Sequence, residues 1–151
     1  MAVGDRQPAW VNNACRDYTA RFPAQWKFRL DAIPAGHRSR NGSKRTAIET
    51  EGRKLLASIR PAEFVVLLDE KGKIMSSRDF GTQLSAWLST GRDLCFLIGG
   101  PDGVSPTCSV RAYWSLSLSR MTLPHGLARV MFCEQLYRAC TLAERHPYHR
   151  D

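Results

Sequence analysis

The sequence predicts an α/β domain built on a mostly parallel sheet with helices on both faces. Three observations carry that expectation. Strand-like and helix-like segments alternate along the chain and the last one is a helix, the order that builds parallel sheets. Two apolar runs, residues 64–68 (Phe-Val-Val-Leu-Leu) and 94–98 (Leu-Cys-Phe-Leu-Ile), show no polar alternation, as strands covered on both faces should. Prolines and glycines (Pro23, Pro61, Gly91, Pro124) stand where one periodicity gives way to the next.

Taken in order, Ala2-Val3 is a short apolar start before the turn signals Gly4 and Asp5, and is brief for a strand. Residues 8–22 predict an amphipathic helix, with Trp10, Ala14, Tyr18 and Phe22 at four-residue spacing and Pro23 as its stop. Residues 26–33 alternate, with Trp26, Phe28, Leu30 and Ala32 opposite Lys27, Arg29 and Asp31. That predicts a half-buried strand near a sheet edge. Residues 43–59 predict a helix through Ile48, Leu55, Leu56 and Ile59. The 64–68 strand ends at Asp69 and a turn follows at Lys71-Gly72-Lys73. Ser77 is the expected N-cap of a helix through Leu84, Trp87 and Leu88 that ends at Gly91. After the 94–98 strand, Pro106 opens a short helix and residues 114–118 alternate as a strand. Pro124 opens a long helix to about residue 145, whose apolar stripe includes Leu127, Val130, Met131, Leu136, Tyr137 and Cys140.

A chain of 151 residues is expected to be one domain with one core, and an apolar fraction of 43% excludes a disordered class. No apolar run approaches the ~20 residues of a membrane span. The first residues lack the basic-then-apolar pattern of a secretory signal, so a soluble, cytoplasmic protein is expected. The five cysteines (Cys15, Cys95, Cys108, Cys133, Cys140) are odd in number and widely spaced. That favours buried, reduced thiols over disulfides or a zinc site. The net charge of +8 favours a polyanionic partner, nucleic acid or a membrane surface. Basic residues cluster at 37–45, including Arg38 and Arg40, and again at 145–150. Mobile basic loops suit phosphate contacts.

The candidate site lies in two loops. The 94–98 strand runs into Gly99-Gly100-Pro101-Asp102-Gly103, and the 114–118 strand runs into a polar segment before Pro124 and His125. Loops at the ends of parallel strands are where such sheets place ligands. Neither the dinucleotide fingerprint nor a Walker loop is present, so a standard nucleotide polyphosphate is not expected. Each loop also has a plain structural reading, as a tight turn at Gly99–Gly103 and as ordinary helix-start chemistry at Thr122 and Pro124. His125 could be a base, a ligand neighbour or a structural histidine, and a structural role, or one behind the residues that touch the ligand, is favoured. His146 and His149 flank Pro147 with no Cys or carboxylate nearby, so no metal site is expected. Trp26, Trp87 and Trp114 are expected in the core or at a subunit interface, with Trp10 a candidate for the same interface. Glu134 is expected to pair with Arg129 or Arg138.

Four segments together resemble the ribosomal RNA large subunit methyltransferase H family of the SPOUT superfamily. They are Gly99-Gly100-Pro101-Asp102-Gly103, Leu118-Ser119-Arg120-Met121-Thr122-Leu123-Pro124-His125, Glu134-Gln135-Leu136-Tyr137-Arg138-Ala139 and His146-Pro147-Tyr148-His149-Arg150. The likeness extends to Ala2-Val3-Gly4, Ile33-Pro34-Ala35-Gly36 and Leu67-Leu68-Asp69, so it covers nearly the whole chain.

The resemblance implies a single α/β-knot domain over residues 1–151, with a C-terminal trefoil knot and the cofactor pocket within about 64–145. Topology rules alone would discard a knot. It implies a homodimer that uses S-adenosyl-L-methionine to methylate N3 of a pseudouridine in 23S rRNA of the assembled 70S ribosome, with no membrane or metal partner. It places the cofactor at Leu68, Gly99, Leu118, Ser119, Arg120, Met121, Thr122 and Leu123. Arg120 stands where the family commonly has a small or apolar residue, so a backbone contact is expected there. The family also has several apolar residues ahead of Ala-Val-Gly, which leaves the first strand short here. Substrate contacts fall to Arg38, Arg40, Tyr148, His149 and Arg150, the last three in the tail 146–151. His149 is the candidate base, with loss of the N3 proton to water the other route. The competing readings are a non-catalytic ribosome- or RNA-binding protein with the same fold, and a SPOUT enzyme with another RNA target.

Overall fold

The computed structural model describes residues 1–38 and 43–143. Strands β1 (Ala2–Val3), β2 (Ala32–Ile33), β3 (Phe64–Ile74), β4 (Leu94–Ile98) and β5 (Trp114–Ser117) form one parallel sheet in the order β2-β1-β4-β3-β5. Helices α1 (Ala9–Thr19), α2 (Lys44–Ser58), α3 (Ser77–Leu88), α4 (Pro106–Arg111) and α5 (His125–Ala143) alternate with them.

The two unbroken apolar strands are covered on both faces, and the pleat sorts their side chains. Val65 and Leu67 of β3 and Cys95 and Leu97 of β4 meet Leu55 of α2 and Cys108 of α4. Val66, Phe96, Ile98 and Leu116 face the other way, onto Phe80, Leu84 and Trp87 of α3 and Phe132, Leu136 and Cys140 of α5. Trp87 is the hub of that larger core, in edge contact with Phe80, Phe96 and Trp114 at centroid distances of 6.3, 6.1 and 5.8 Å. Helix α1 packs outside α5, with Val11, Cys15 and Cys133 in a small third cluster. All five cysteines are buried and free.

Strand β1 has two residues, yet it lies inside the sheet, between β2 and β4. Backbone bonds at both ends hold it: Ala2 N donates to Asp31 O at 2.9 Å and Gly4 N to Ile33 O at 2.7 Å. Arg129 of α5 donates to the carbonyls of Val3 (2.8 Å) and Gly4 (2.9 Å).

Several boundaries differ from the sequence expectation. The 26–33 strand shrinks to Ala32–Ile33, because β1 offers only Ala2 and Val3 as partners. Ahead of it, Ala24–Trp26 forms a 3-10 turn and Lys27 takes a left-handed φ of 45°. The alternating apolar side chains still pack: Phe22 stacks on Phe28 at 4.4 Å, and Trp26 and Leu30 lie against the larger core. Helix α1 stops at Thr19, four residues before Pro23. The N-cap of α3 is Ser76, whose Oγ accepts from Asp79 N at 3.1 Å; the Ser77 hydroxyl instead donates to Gln135 Oε1 of α5 at 2.6 Å. Strand β3 runs on to Ile74 past a bulge, so that Leu68 and Lys73 both stand opposite Leu116 and the expected 71–73 turn lies within the strand. Glu134 pairs with Arg138, Nε to Oε1 at 3.0 Å.

Candidate functional site

Leu68, Ile98 and Leu116 stand side by side across β3, β4 and β5: Leu68 is in register with Ile98 on one side and Leu116 on the other. Just beyond this row β4 and β5 end and β3 bulges, and the segments that follow diverge around a cavity of about 840 Å³. Its wall includes Leu68 and the 69–71 bulge, residues 98–104, residues 116–119, residues 121–123, and Pro124, His125 and Ala128 at the start of α5. This is the carboxyl end of a parallel sheet, where ligands of open α/β folds bind.

The glycine-rich loop is closed on itself. Gly100 N donates to Gly103 O at 3.2 Å and Gly103 N to Gly100 O at 3.0 Å, while Gly103 has a φ of +93°. A Cβ on Gly99 would stand 2.5 Å from Val104 Cγ1 and 2.7 Å from Gly103 O, so the turn closes only over a bare Cα. The other loop is set by its own hydroxyls: Ser117 Oγ donates to Ser119 O at 2.8 Å, and Ser119 Oγ accepts from Met121 N at 2.9 Å.

Of the residues expected at a cofactor, Leu68, Gly99, Leu118, Ser119, Met121, Thr122 and Leu123 all lie on this one wall. Arg120 does not; it is solvent-exposed. Arg40, Tyr148, His149 and Arg150 lie outside the described residues. Arg38, expected at the substrate, is engaged with carboxylates. Its Nη1 donates to Glu51 Oε1 at 2.7 Å, its Nη2 to Glu51 Oε2 at 3.3 Å and its Nε to Asp102 Oδ2 at 2.8 Å. The bond from Arg38 holds the Asp102 carboxyl below the usual carboxylate range.

One residue of the site went unread in the sequence. Glu51 is buried, with 2% of its surface exposed, and lies against the glycine-rich loop. The sequence does carry its signal, since Ala47, Glu51 and Leu55 share one helical face at four-residue spacing and both neighbours are core residues. His125 on the cavity wall is held by Arg129, whose Nη2 lies 3.0 Å from its Nε2. The same Arg129 nitrogen donates to the carbonyls of Val3 and Gly4, so its two hydrogens are shared among three neighbours and the ring sits directly beside the guanidinium charge. Burial, and then the Arg129 charge, push His125 below its ordinary range. A buried histidine packed against a guanidinium is suited to shaping the wall.

Among the described residues the wall carries the carboxylates of Asp69 and Glu70 and one Lys or Arg side chain, Lys71; its third carboxylate, Asp102, is already paired with Arg38. The cavity therefore favours a ligand of net positive charge with an apolar part for Leu68, Ile98, Leu116 and Leu118.

The sequence model of the family described as "Predicted SPOUT methyltransferase" matches residues 1–149. The ribosomal RNA large subunit methyltransferase H of Thioalkalivibrio sulfidiphilus is 45% identical over 151 residues, spanning 100% of this chain and 97% of that protein. The protein of the same name from Methylococcus capsulatus is 45% identical over 150 residues, spanning 99% of this chain and 97% of its own length. With its parallel sheet and the converging loops at residues 99–103 and 118–123, the chain belongs to the SPOUT methyltransferases, in the family of ribosomal RNA large subunit methyltransferase H.

Proposed function

We propose that this protein transfers a methyl group from S-adenosylmethionine to N3 of a pseudouridine in 23S rRNA, acting as a homodimer on the assembled 70S ribosome in the cytoplasm. The observation that carries this reading is the convergence of Leu68, Gly99 and the 118–123 loop on one cavity of about 840 Å³, a size suited to a small-molecule ligand. The whole of residues 1–151 serves as one catalytic domain, and the knotted path of the family belongs to the same reading.

The wall fits the methyl donor. At neutral pH S-adenosylmethionine carries a sulfonium and an ammonium against one carboxylate, a net charge of about +1, which suits Asp69 and Glu70. The row of Leu68, Ile98 and Leu116 gives the adenine an apolar floor, and Gly99 admits close backbone approach. When bound, the donor would supply a methyl group activated on a sulfonium, whose sulfur would keep the electron pair of the C–S bond while N3 gave up its proton.

The chain's own residues then have to orient the two reactants and shield them from water. The 118–123 loop, fixed by Ser117 and Ser119, and the closed turn at Gly100–Gly103 form two sides of that enclosure. Arg120, exposed between the wall residues Ser119 and Met121, would serve as a contact for an RNA phosphate. The N3 proton passes to His149 or to water, with Tyr148 stacked on a base and Arg150 and Arg40 on phosphates.

Methyl transfer from labelled S-adenosylmethionine tests this reading on 70S ribosomes, free 50S subunits and naked rRNA from cells lacking the modification. Label confined to large-subunit rRNA in 70S particles is expected. Equal labelling of naked rRNA would remove the 70S requirement. Cofactor binding without label on any of the three would point to another RNA, and no cofactor binding would favour a non-catalytic ribosome-binding protein. Deleting residues 146–151 is expected to abolish transfer and to leave cofactor affinity within about twofold of the full chain, since a terminal tail adds little to a preformed pocket.

A further inference from the structure

We propose that Arg38 is a positioning residue for the methyl-donor pocket: clamped on the buried Glu51, it holds the glycine-rich loop in its receiving shape and does not itself contact RNA. The proposal rests on the reading of the cavity as the S-adenosylmethionine site.

The base of the clamp is Glu51, on the buried face of α2 between Ala47 and Leu55. Both its oxygens are used. Oε1 accepts from Gly36 N at 2.8 Å and from Arg38 Nη1 at 2.7 Å, and Oε2 accepts from Arg38 Nη2 at 3.3 Å. A buried carboxylate is tolerated only when paired and hydrogen-bonded in this way. The remaining edge of the guanidinium is turned to the pocket loop, with Nε 2.8 Å from Asp102 Oδ2. Lys44 reaches the other oxygen of Asp102 at the longer distance of 3.7 Å and is far more exposed. One planar, five-donor group thus ties a buried helix residue to the tip of the loop that walls the cavity.

The loop also lies directly on this pair. A Cβ on Gly100 would stand 2.7 Å from Glu51 Oε2 and 3.1 Å from Arg38 Nη2. Further along, a Cβ on Gly52 would stand 2.1 Å from Ser105 Oγ, so α2 presses on the far end of the loop as well. The segment 100–105 is therefore gripped at its start, its tip and its end by α2 and Arg38. Both carboxylate edges of Arg38 are occupied, which leaves little of its donor set for a phosphate.

The two roles predict opposite behaviour on replacement by lysine. A phosphate contact tolerates Lys, a point charge that binds phosphate well. A bridge between two carboxylates does not, because one ammonium cannot present three donor edges in a fixed fork. Calorimetric titration of S-adenosylmethionine into the full chain and its R38K, R38Q, E51Q and D102N variants reads the clamp. The KM for 70S ribosomes at two salt concentrations reads the RNA contact.

The expected result is a loss of cofactor affinity of about tenfold or more in both R38K and R38Q, and severalfold in D102N. The R38K/D102N double variant should be no worse than R38K alone, the mark of a shared interaction. The ribosome KM and its salt dependence should stay within about twofold of wild type. Unchanged cofactor affinity in R38K and R38Q, or a raised ribosome KM with a shallower salt slope in R38Q alone, would overturn the clamp and restore Arg38 as a phosphate contact. Thermal melts accompany each variant; if E51Q does not fold, the Arg38 and Asp102 variants decide the matter. A wild-type protein that binds no S-adenosylmethionine would sink the pocket reading and the clamp together. A wild-type protein that binds normally beside unaffected variants would sink the clamp alone.

Discussion

Arg129 Nη2 lies 3.0 Å from His125 Nε2, one turn away on α5, and the same nitrogen donates to the carbonyls of Val3 and Gly4. A single buried cation thus joins the shortest interior strand of the sheet to the residue at the mouth of the cavity. Burial, and then the Arg129 charge, lower the affinity of His125 for a proton. Because its folded pKa lies below the unfolded value of ~6.5, the unfolded chain binds the extra proton first as pH falls. Stability is full above about pH 6.5 and declines as pH drops toward the folded pKa, then levels off. Urea unfolding between about pH 5 and pH 7.5 should show that slope in the wild type and a shallower one in His125→Asn. Equal slopes in the two proteins would mean that His125 is not the titrating group.

Replacing Arg129 by Met should cost about 1–3 kcal/mol, because the Val3 and Gly4 carbonyls lose a buried donor. The loss is tempered by relief of a buried charge whose Nε has no hydrogen-bond partner among the described residues. Amide exchange should show the change first at Val3 and Gly4; uniform loss of protection would instead mean a general loss of packing.

Helices α2 and α4 meet through Gly52 and Ser105. Gly52→Ala would place a methyl 2.1 Å from Ser105 Oγ and 2.7 Å from its Cβ. A loss of about 1–3 kcal/mol is expected, as for other overpacked sites. Ser105→Gly removes both atoms and costs an N-cap only a few tenths of a kcal/mol, so the double variant should recover most of the stability. A double variant no more stable than Gly52→Ala would show that the clash lies elsewhere.

The β3 bulge carries Gly72 against the backbone of β5: a Cβ there would stand 2.6 Å from Leu116 C and 2.7 Å from Leu116 N. Backbone atoms cannot swing aside, and Leu116 is part of the cavity floor. Gly72→Ala should therefore weaken S-adenosylmethionine binding about tenfold by shifting the floor, more than it lowers the melting temperature. Calorimetry beside a thermal melt separates the two effects.

Trp87 packs against four aromatic rings, Phe64, Phe80, Phe96 and Trp114, and is only 3% exposed. Trp87→Ala should cost about 3–5 kcal/mol in denaturant unfolding, and Trp87→Phe clearly less, because the cavity left behind is smaller. A cost below about 1 kcal/mol for Ala would mean that the helices collapse into the gap.

Much of this fold was legible because its signals are local. The runs at 64–68 and 94–98 read as doubly covered strands, and the helix-start residues Ser43, Pro106 and Pro124 fell within a residue of the observed starts. Residues 26–33 misled for a reason outside their own sequence: alternation reports which side chains are buried, and Trp26, Phe28 and Leu30 are partly buried against a core without being paired in a sheet. Ser76 and Ser77 are chemically identical candidates for a cap. The choice between them fell to Gln135, 58 residues away, which takes the Ser77 hydroxyl.

The same division runs through the site. Residue types and spacing at 99–103 and 118–123 were enough to mark two loops, since tight turns and helix starts are chosen by backbone geometry within a few residues. Local sequence also set the periodicities that make one face of each helix apolar. Tertiary structure alone decided that Leu68, Ile98 and Leu116 form one floor, because register between strands distant in sequence is settled by packing on both faces. It alone turned Arg38 from a free cation in a basic loop into a bridge between Glu51 and Asp102. A charge takes its role from the partners that burial leaves within reach, and those partners come together only when the chain is folded.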